Sequence, residues 1–199
     1  MDYQAFVQRV VKHLPKGDPK TFTFSHWPHA GRPTEEAFGI MPIAGVDPTK
    51  VMDAVMDVDH YKGNITHVAA CRAIADPRFE FPEHVRFYQR VEIALLGAIH
   101  NELVLHRLGE MEGYEVTAWE LLRSETDALS KRDGLRSEYN QGAWFAKPGI
   151  LGYALATCPK RGDVGRLKWV AMTRGANATA SRILQTNLEA MATWAARRA

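Results

Sequence analysis

The chain of 199 residues has little of what marks several functional classes. Its two cysteines, Cys71 and Cys158, lie far apart without a C-x-x-C spacing. That argues against a zinc site or a disulfide framework and suits a reduced, cytoplasmic setting. No apolar run approaches the roughly 20 residues of a membrane-spanning helix, and the N-terminus lacks the apolar centre of a signal peptide. An excess of one charge is missing too: 25 Lys and Arg stand against 23 Asp and Glu, a formal net charge of +2. A basic nucleic-acid surface is therefore not expected. There is no P-loop, nucleophile elbow or metal-ligand motif, and no internal repeat or low-complexity segment. What remains is a globular chain, 46% hydrophobic, large enough to bury the core of one domain.

What is present centres on the stretch from His84 to Leu122. Val85, Phe87, Val91, Ile93 and Leu95 alternate with Arg86, Tyr88, Arg90 and Glu92, the pattern of a strand with one apolar face. Glu102 to Leu108 and Tyr114 to Leu121 follow, after Gly97-Ala98 and Met111-Glu112-Gly113. The stretch predicts three antiparallel strands joined by short turns. Such a sheet has to hide its apolar face against another layer or close around something.

Before it, Tyr3 to Leu14 predicts an amphipathic helix with Phe6, Val7, Val10, Val11 and Leu14 on one side. The modest charge favours a lid packed on the domain over a membrane-surface helix. Residues 18 to 35 read as loop, where His26 and His29 lack a third metal ligand. Residues 1–35 thus form an N-terminal extension and 36–199 the main domain. Ala37 to Ile43 predicts a strand, with Pro42 at its end or on an edge. Asp47-Pro48 opens a helix that buries Val51, Ala54 and Val55. Asp57 to Asn64 predicts a short helix or bend, and Ile65 to Ile74 a strand.

After it, Ser124 to Leu135 predicts a polar connection with room for a helical turn. Ser137 to Lys147 and Leu151 to Cys158 pair as strands across Pro148-Gly149, a type II turn. Val164 to Thr173 fits either a strand or a helix. Asn177 to Arg197 predicts the longest helix, with Ala180, Ile183, Leu184, Leu188, Met191 and Ala195 along one stripe.

At this point the residues carry a resemblance. Gly45-Val46-Asp47-Pro48 before a helix with Val51, Tyr88-Gln89-Arg90-Val91 in a long strand, Gly142-Ala143-Trp144 before Pro148, and the amphipathic C-terminus resemble the START-like members of the Bet v 1 or SRPBCC superfamily. The resemblance spans about residues 36 to 197. It implies an α+β helix-grip fold, a curved antiparallel sheet of about seven strands around a long C-terminal helix. It also implies an internal cavity for a hydrophobic small molecule such as a lipid, sterol or polyketide. START-type sequences often begin the strand after the long central one with an Arg-Asp pair, where this chain has His100-Asn101. The ligand class therefore does not carry over.

Candidate cavity residues are Tyr61, Tyr88, Arg90, His100, Trp119, Tyr139 and Trp144. His100 is a titratable donor, although a structural hydrogen bond at a strand start is the favoured account of it. Tyr88 and Arg90 line a cavity only if their face turns inward, and the more apolar Val85, Phe87, Val91 set argues that it does not. The aromatic rings serve a pocket or an ordinary core. Binding or transport of a hydrophobic small molecule is the leading expectation. The alternatives are an aromatase/cyclase-type enzyme acting on a polyketide-like chain and an interaction protein with a filled cavity. No cofactor, metal or nucleic-acid partner is expected, transient membrane contact fits ligand exchange, and no catalytic set is assigned.

Overall fold

The computed structural model describes residues 2–29, 31–45, 47–93 and 97–198. Val46 and Leu95, used in the reading above, lie outside them. Helix α1 (Tyr3–Val11) begins where the Asp2 carboxylate accepts a hydrogen bond from the Ala5 amide at 3.1 Å, satisfying one of the free amides of a helix start. It ends before the expected Leu14. Strand β1 (Thr23–Trp27) occupies part of the stretch expected to be loop and pairs antiparallel with β2 (Glu36–Pro42). As a five-residue edge strand with no fully buried side chain, it is held by backbone hydrogen bonds and leaves little apolar pattern to read.

Helix α2 (Pro48–Met56) is capped by Asp47, whose carboxylate accepts from the Thr49 amide at 2.9 Å, and buries Val51, Ala54 and Val55. A single 3₁₀ turn (Val58–His60) leads to β3 (Val68–Ala73). Strands β4 (His84–Ile93), β5 (Gly97–Met111) and β6 (Tyr114–Leu121) form the expected meander. Gly97 and Ala98, read as a turn, already belong to β5, so His100 stands inside a strand. Helix α3 (Arg123–Ala128) supplies the helical turn of the polar connection. Strands β7 (Leu135–Lys147) and β8 (Ile150–Pro159) meet across Pro148-Gly149, where Gly149 has φ 77°. A short helix α4 (Arg161–Val164) precedes α5 (Arg166–Arg197), of 32 residues. The ambiguous segment 164–173 is thus mostly the first turns of α5.

The sheet has eight strands in the order β1-β2-β8-β7-β6-β5-β4-β3, one more than expected because β1 joins the edge. Neighbouring strands are antiparallel, and a short parallel contact pairs Ile99 and His100 of β5 with Leu135 and Arg136 of β7. The expected α+β helix-grip fold is present, with the curved sheet gripping α5. Both faces of the sheet carry a core. On the concave side, α2 and the second half of α5 pack Val51, Val55, Leu184, Leu188, Met191 and Trp194 over the strands. On the convex side, Phe6, Val7 and Val10 of α1 meet Phe38, Phe145 and Ala154. Among the described residues no helix is long and apolar enough to cross a membrane.

Candidate ligand pocket

Between the concave face and α5 lies a hollow of about 890 Å³ of atom-free space, mouth included, of which about 140 Å³ is open to the centre of a water-sized body. The open space of about 140 Å³ lies below the range of about 300–1,000 Å³ for small-molecule pockets, so the hollow suits a small or compact guest.

Strand alternation builds the walls. Phe87, Gln89 and Val91 of β4 point into the hollow, as do Asn101, Leu103 and Leu105 of β5. Trp119, Trp144 and Tyr153, from β6, β7 and β8, form an aromatic floor. The rings of Trp144 and Tyr153 are 4.2 Å apart and those of Trp119 and Tyr153 are 5.6 Å apart. Trp119 Nε1 donates to Asn140 Oδ1 at 2.9 Å, which satisfies the indole without water. The indole lies across β7 because its register partner is Gly142: a Cβ there would come within 2.1 Å of the Trp119 ring. Tyr61 enters from the end of the 3₁₀ turn. Its hydroxyl donates to the Val55 carbonyl at 2.5 Å, and its ring meets Phe87 and Trp194 edge-on. Ile183 and Asn187 of α5 close the roof. The exposed turn at Thr66 and His67, where His67 takes φ 66°, lies at the mouth.

Tyr61, Trp119 and Trp144 therefore stand together on the hollow. Tyr88, Arg90, His100 and Tyr139 do not, because period-two alternation turns them to the convex face. There the Tyr88 hydroxyl lies 3.4 Å from His100 Nδ1, and Arg90 pairs with Glu92 at 2.8 Å and donates to the Asp133 carbonyl. Tyr139 bonds the Thr34 hydroxyl at 2.5 Å. Burial holds the His100 imidazole below its ordinary pKa.

The sequence reading did not pick out Gln89, Asn101, Asn140, Tyr153 or Asn187. The signal for two of them was present, since Asn101 interrupts the apolar set Ile99, Leu103, Leu105 and Asn187 interrupts Leu184, Leu188, Met191. Among the described residues that line the hollow, none is Asp, Glu, Lys or Arg. Tyr61 and Tyr153 are pushed above the ordinary phenol range by burial. Burial also raises the Cys158 thiol to about 11 and lifts that of Cys71, so neither is a thiolate at neutral pH. Among the described residues no cluster of three or more His, Cys, Asp or Glu is placed to hold a metal.

No family model matches the sequence, and no curated protein matches it. Solved structures do match in shape. A STAR-related lipid transfer protein from Xanthomonas axonopodis superposes with a TM-score of 0.70 at 14% identity, over 90% of this chain and 96% of that one. Human STARD10 gives 0.68 at 12% identity, over 96% and 80%. The Zhui aromatase/cyclase from Streptomyces sp. R1128 gives 0.55 at 16% identity, over 88% and 96%. At these identities the likeness shows the fold, and this chain shares it with both groups.

Proposed function

We propose, taking as premise the fold shared with STAR-related lipid transfer proteins, that this chain binds a hydrophobic small molecule between its sheet and α5 and carries or sequesters it. The carrying observation is the hollow itself: apolar walls, an aromatic floor and a few neutral polar groups. Burying a ligand's carbon surface there is favourable at about 25 cal/mol per Å² removed from water, and the amides orient what enters. Residues 36–199 supply the binding body, and residues 1–35 add the edge strand β1 to the sheet and brace its convex face with α1. Transient contact with a membrane during exchange belongs to the same reading.

Native mass spectrometry of protein purified from its own host, followed by solvent extraction, should show one apolar molecule per chain. In parallel, the uncharged dye Nile red should bind the delipidated protein and be expelled by Ile183→Trp, which fills the hollow from the helix side. A protein that carries no adduct and gives no dye fluorescence would remove the proposal.

The likeness to an aromatase/cyclase supports a second reading, an enzyme folding a polyketide-like chain in the same hollow. The titratable groups at hand are Tyr61, Tyr153 and His67. Of these, the Tyr61 hydroxyl is engaged by the backbone, and burial makes Tyr153 a weaker acid. That is a poor match for general acid-base work near neutral pH, so binding is the reading we place first.

A further inference from the structure

We propose that the guest of this pocket is an uncharged molecule presenting a hydroxyl group, and not a fatty acid or a phospholipid. The inference rests on the proposed binding function and narrows its ligand class. Among the described residues His67 is the single basic one on the hollow and sits exposed at the mouth, and no carboxylate, lysine or arginine lines the interior. A carboxylate or phosphate drawn inward would shed its water without meeting a counter-charge, a loss that amide hydrogen bonds do not make good.

The polar groups that face the interior are neutral, carboxamides together with the hydroxyls of Tyr61, Tyr153 and Thr157. Asn101 on the sheet is 1% exposed and Asn187 on α5 is 7% exposed, and the Oδ1 atom of each has no hydrogen-bond partner among the described residues, the Asn187 side chain lying beside the Tyr153 phenol. Buried polar atoms are nearly always paired, and a bare one destabilises the fold that holds it. Two of them, one on the floor side and one on the roof, mark where a ligand's polar group belongs. A hydroxyl suits both, because it donates and accepts and so meets a carboxamide in either orientation of its oxygen and nitrogen. Asn140 and Tyr61 are already engaged, by Trp119 Nε1 and the Val55 carbonyl, so they hold the walls and not the guest. Volume sets the second limit. An open space of about 140 Å³ limits the guest to one compact molecule and has no room for two acyl chains.

The test uses the full chain, delipidated, with Nile red displacement as the readout and three probes of similar carbon content: oestradiol, its hydroxyl-free parent hydrocarbon, and oleate. Oestradiol should displace the dye at least about tenfold more tightly than oleate. Asn101→Leu and Asn187→Leu keep the side-chain shape, and each should weaken oestradiol about three- to tenfold while leaving the hydrocarbon unchanged. Because each removes a bare buried amide, the urea midpoint of either variant should equal or exceed that of the natural chain, which shows that the fold is kept. Oleate matching oestradiol, both variants binding oestradiol as the natural chain does, or none of the three probes displacing the dye would each overturn the ligand class. Those results leave the pocket in place, since Nile red still enters. Failure of the dye itself is the separate result that removes the binding function.

Discussion

Single residues decide whether the hollow exists. Gly142 is the clearest case, because its missing side chain is the space that the Trp119 indole occupies. Gly142→Ala should push that ring into the pocket or distort β7, costing about 1–3 kcal/mol as overpacking does. Urea unfolding checks the stability, and a dye titration should show weakened binding even where the fold persists. Glu36 is a second case, on the convex side. Its carboxylate is 0% exposed and accepts from Arg9 at 2.6 and 2.9 Å and from Trp27 Nε1 at 2.8 Å. Glu36→Gln leaves the Arg9 guanidinium without its counter-charge and should cost on the order of 3 kcal/mol, read as a drop in the urea midpoint. Because Glu36 lies on the far side of the sheet, Nile red affinity of the folded fraction should hardly move.

At the scale of elements, α5 is two helices in one. Its second half buries Leu184, Asn187, Leu188, Met191, Trp194 and Ala195, whereas the first half buries only Met172 and Thr173 among the described residues. The weakly held half also contains Gly175, a poor helix former with open space around it. Gly175→Ala should therefore stabilise the helix by roughly 0.5–1 kcal/mol without a clash. If this half moves when a ligand enters, the variant should also slow dye uptake in stopped flow and raise amide-exchange protection over 166–180.

The long helix and the central strands were legible because each buries a continuous stripe or face, and alternation in β4 already implied that Tyr88 and Arg90 turn away from the apolar side. Other elements were not. Segment 164–173 carries both periods at once, and the choice of helix comes from its continuity with the packed half of α5. Strand β1 takes its stability from the hydrogen bonds that β2 offers, a fact recorded in the partner and not in residues 23–27. The pocket followed the same division: Trp119, Trp144 and Tyr61 announced themselves as rings, while Asn101 and Asn187 are single polar breaks in apolar runs. Their meaning depends on a sheet and a helix facing one another. Tyr139 shows the converse, an aromatic residue on a cavity strand that alternation assigns to the other core.

For the whole molecule, buried ionisable groups set the response to acid. Burial, and then the nearby His106, holds His84 below its ordinary value, and burial does the same for His100. These imidazoles stay neutral in the fold while the unfolded chain takes up protons. Stability should therefore begin to fall as pH drops through about 6.5 and go on falling until the folded groups protonate. Carboxylates add a second loss. Burial pushes Glu36 up, but hydrogen bonds from Arg9 and Trp27 outweigh it and leave it below the usual range. Asp163 is held well below by Arg136, whose Nη2 donates at 2.7 Å. Their contribution is complete above the unfolded value near 4 and is lost as pH falls through the folded values. Urea midpoints measured between about pH 8 and 3 should be level at the alkaline end and decline in two stages. A flat profile from 8 to 5 would contradict the histidine assignment.

The core behind the sheet bears on how a guest gets in. With α1 pressed against β6 and β7 from outside, these strands are braced like planks nailed from below, and the aromatic base has little room to sag. On the proposed binding function, room for a bulkier visitor would have to come from above, by lifting of the terminal rod.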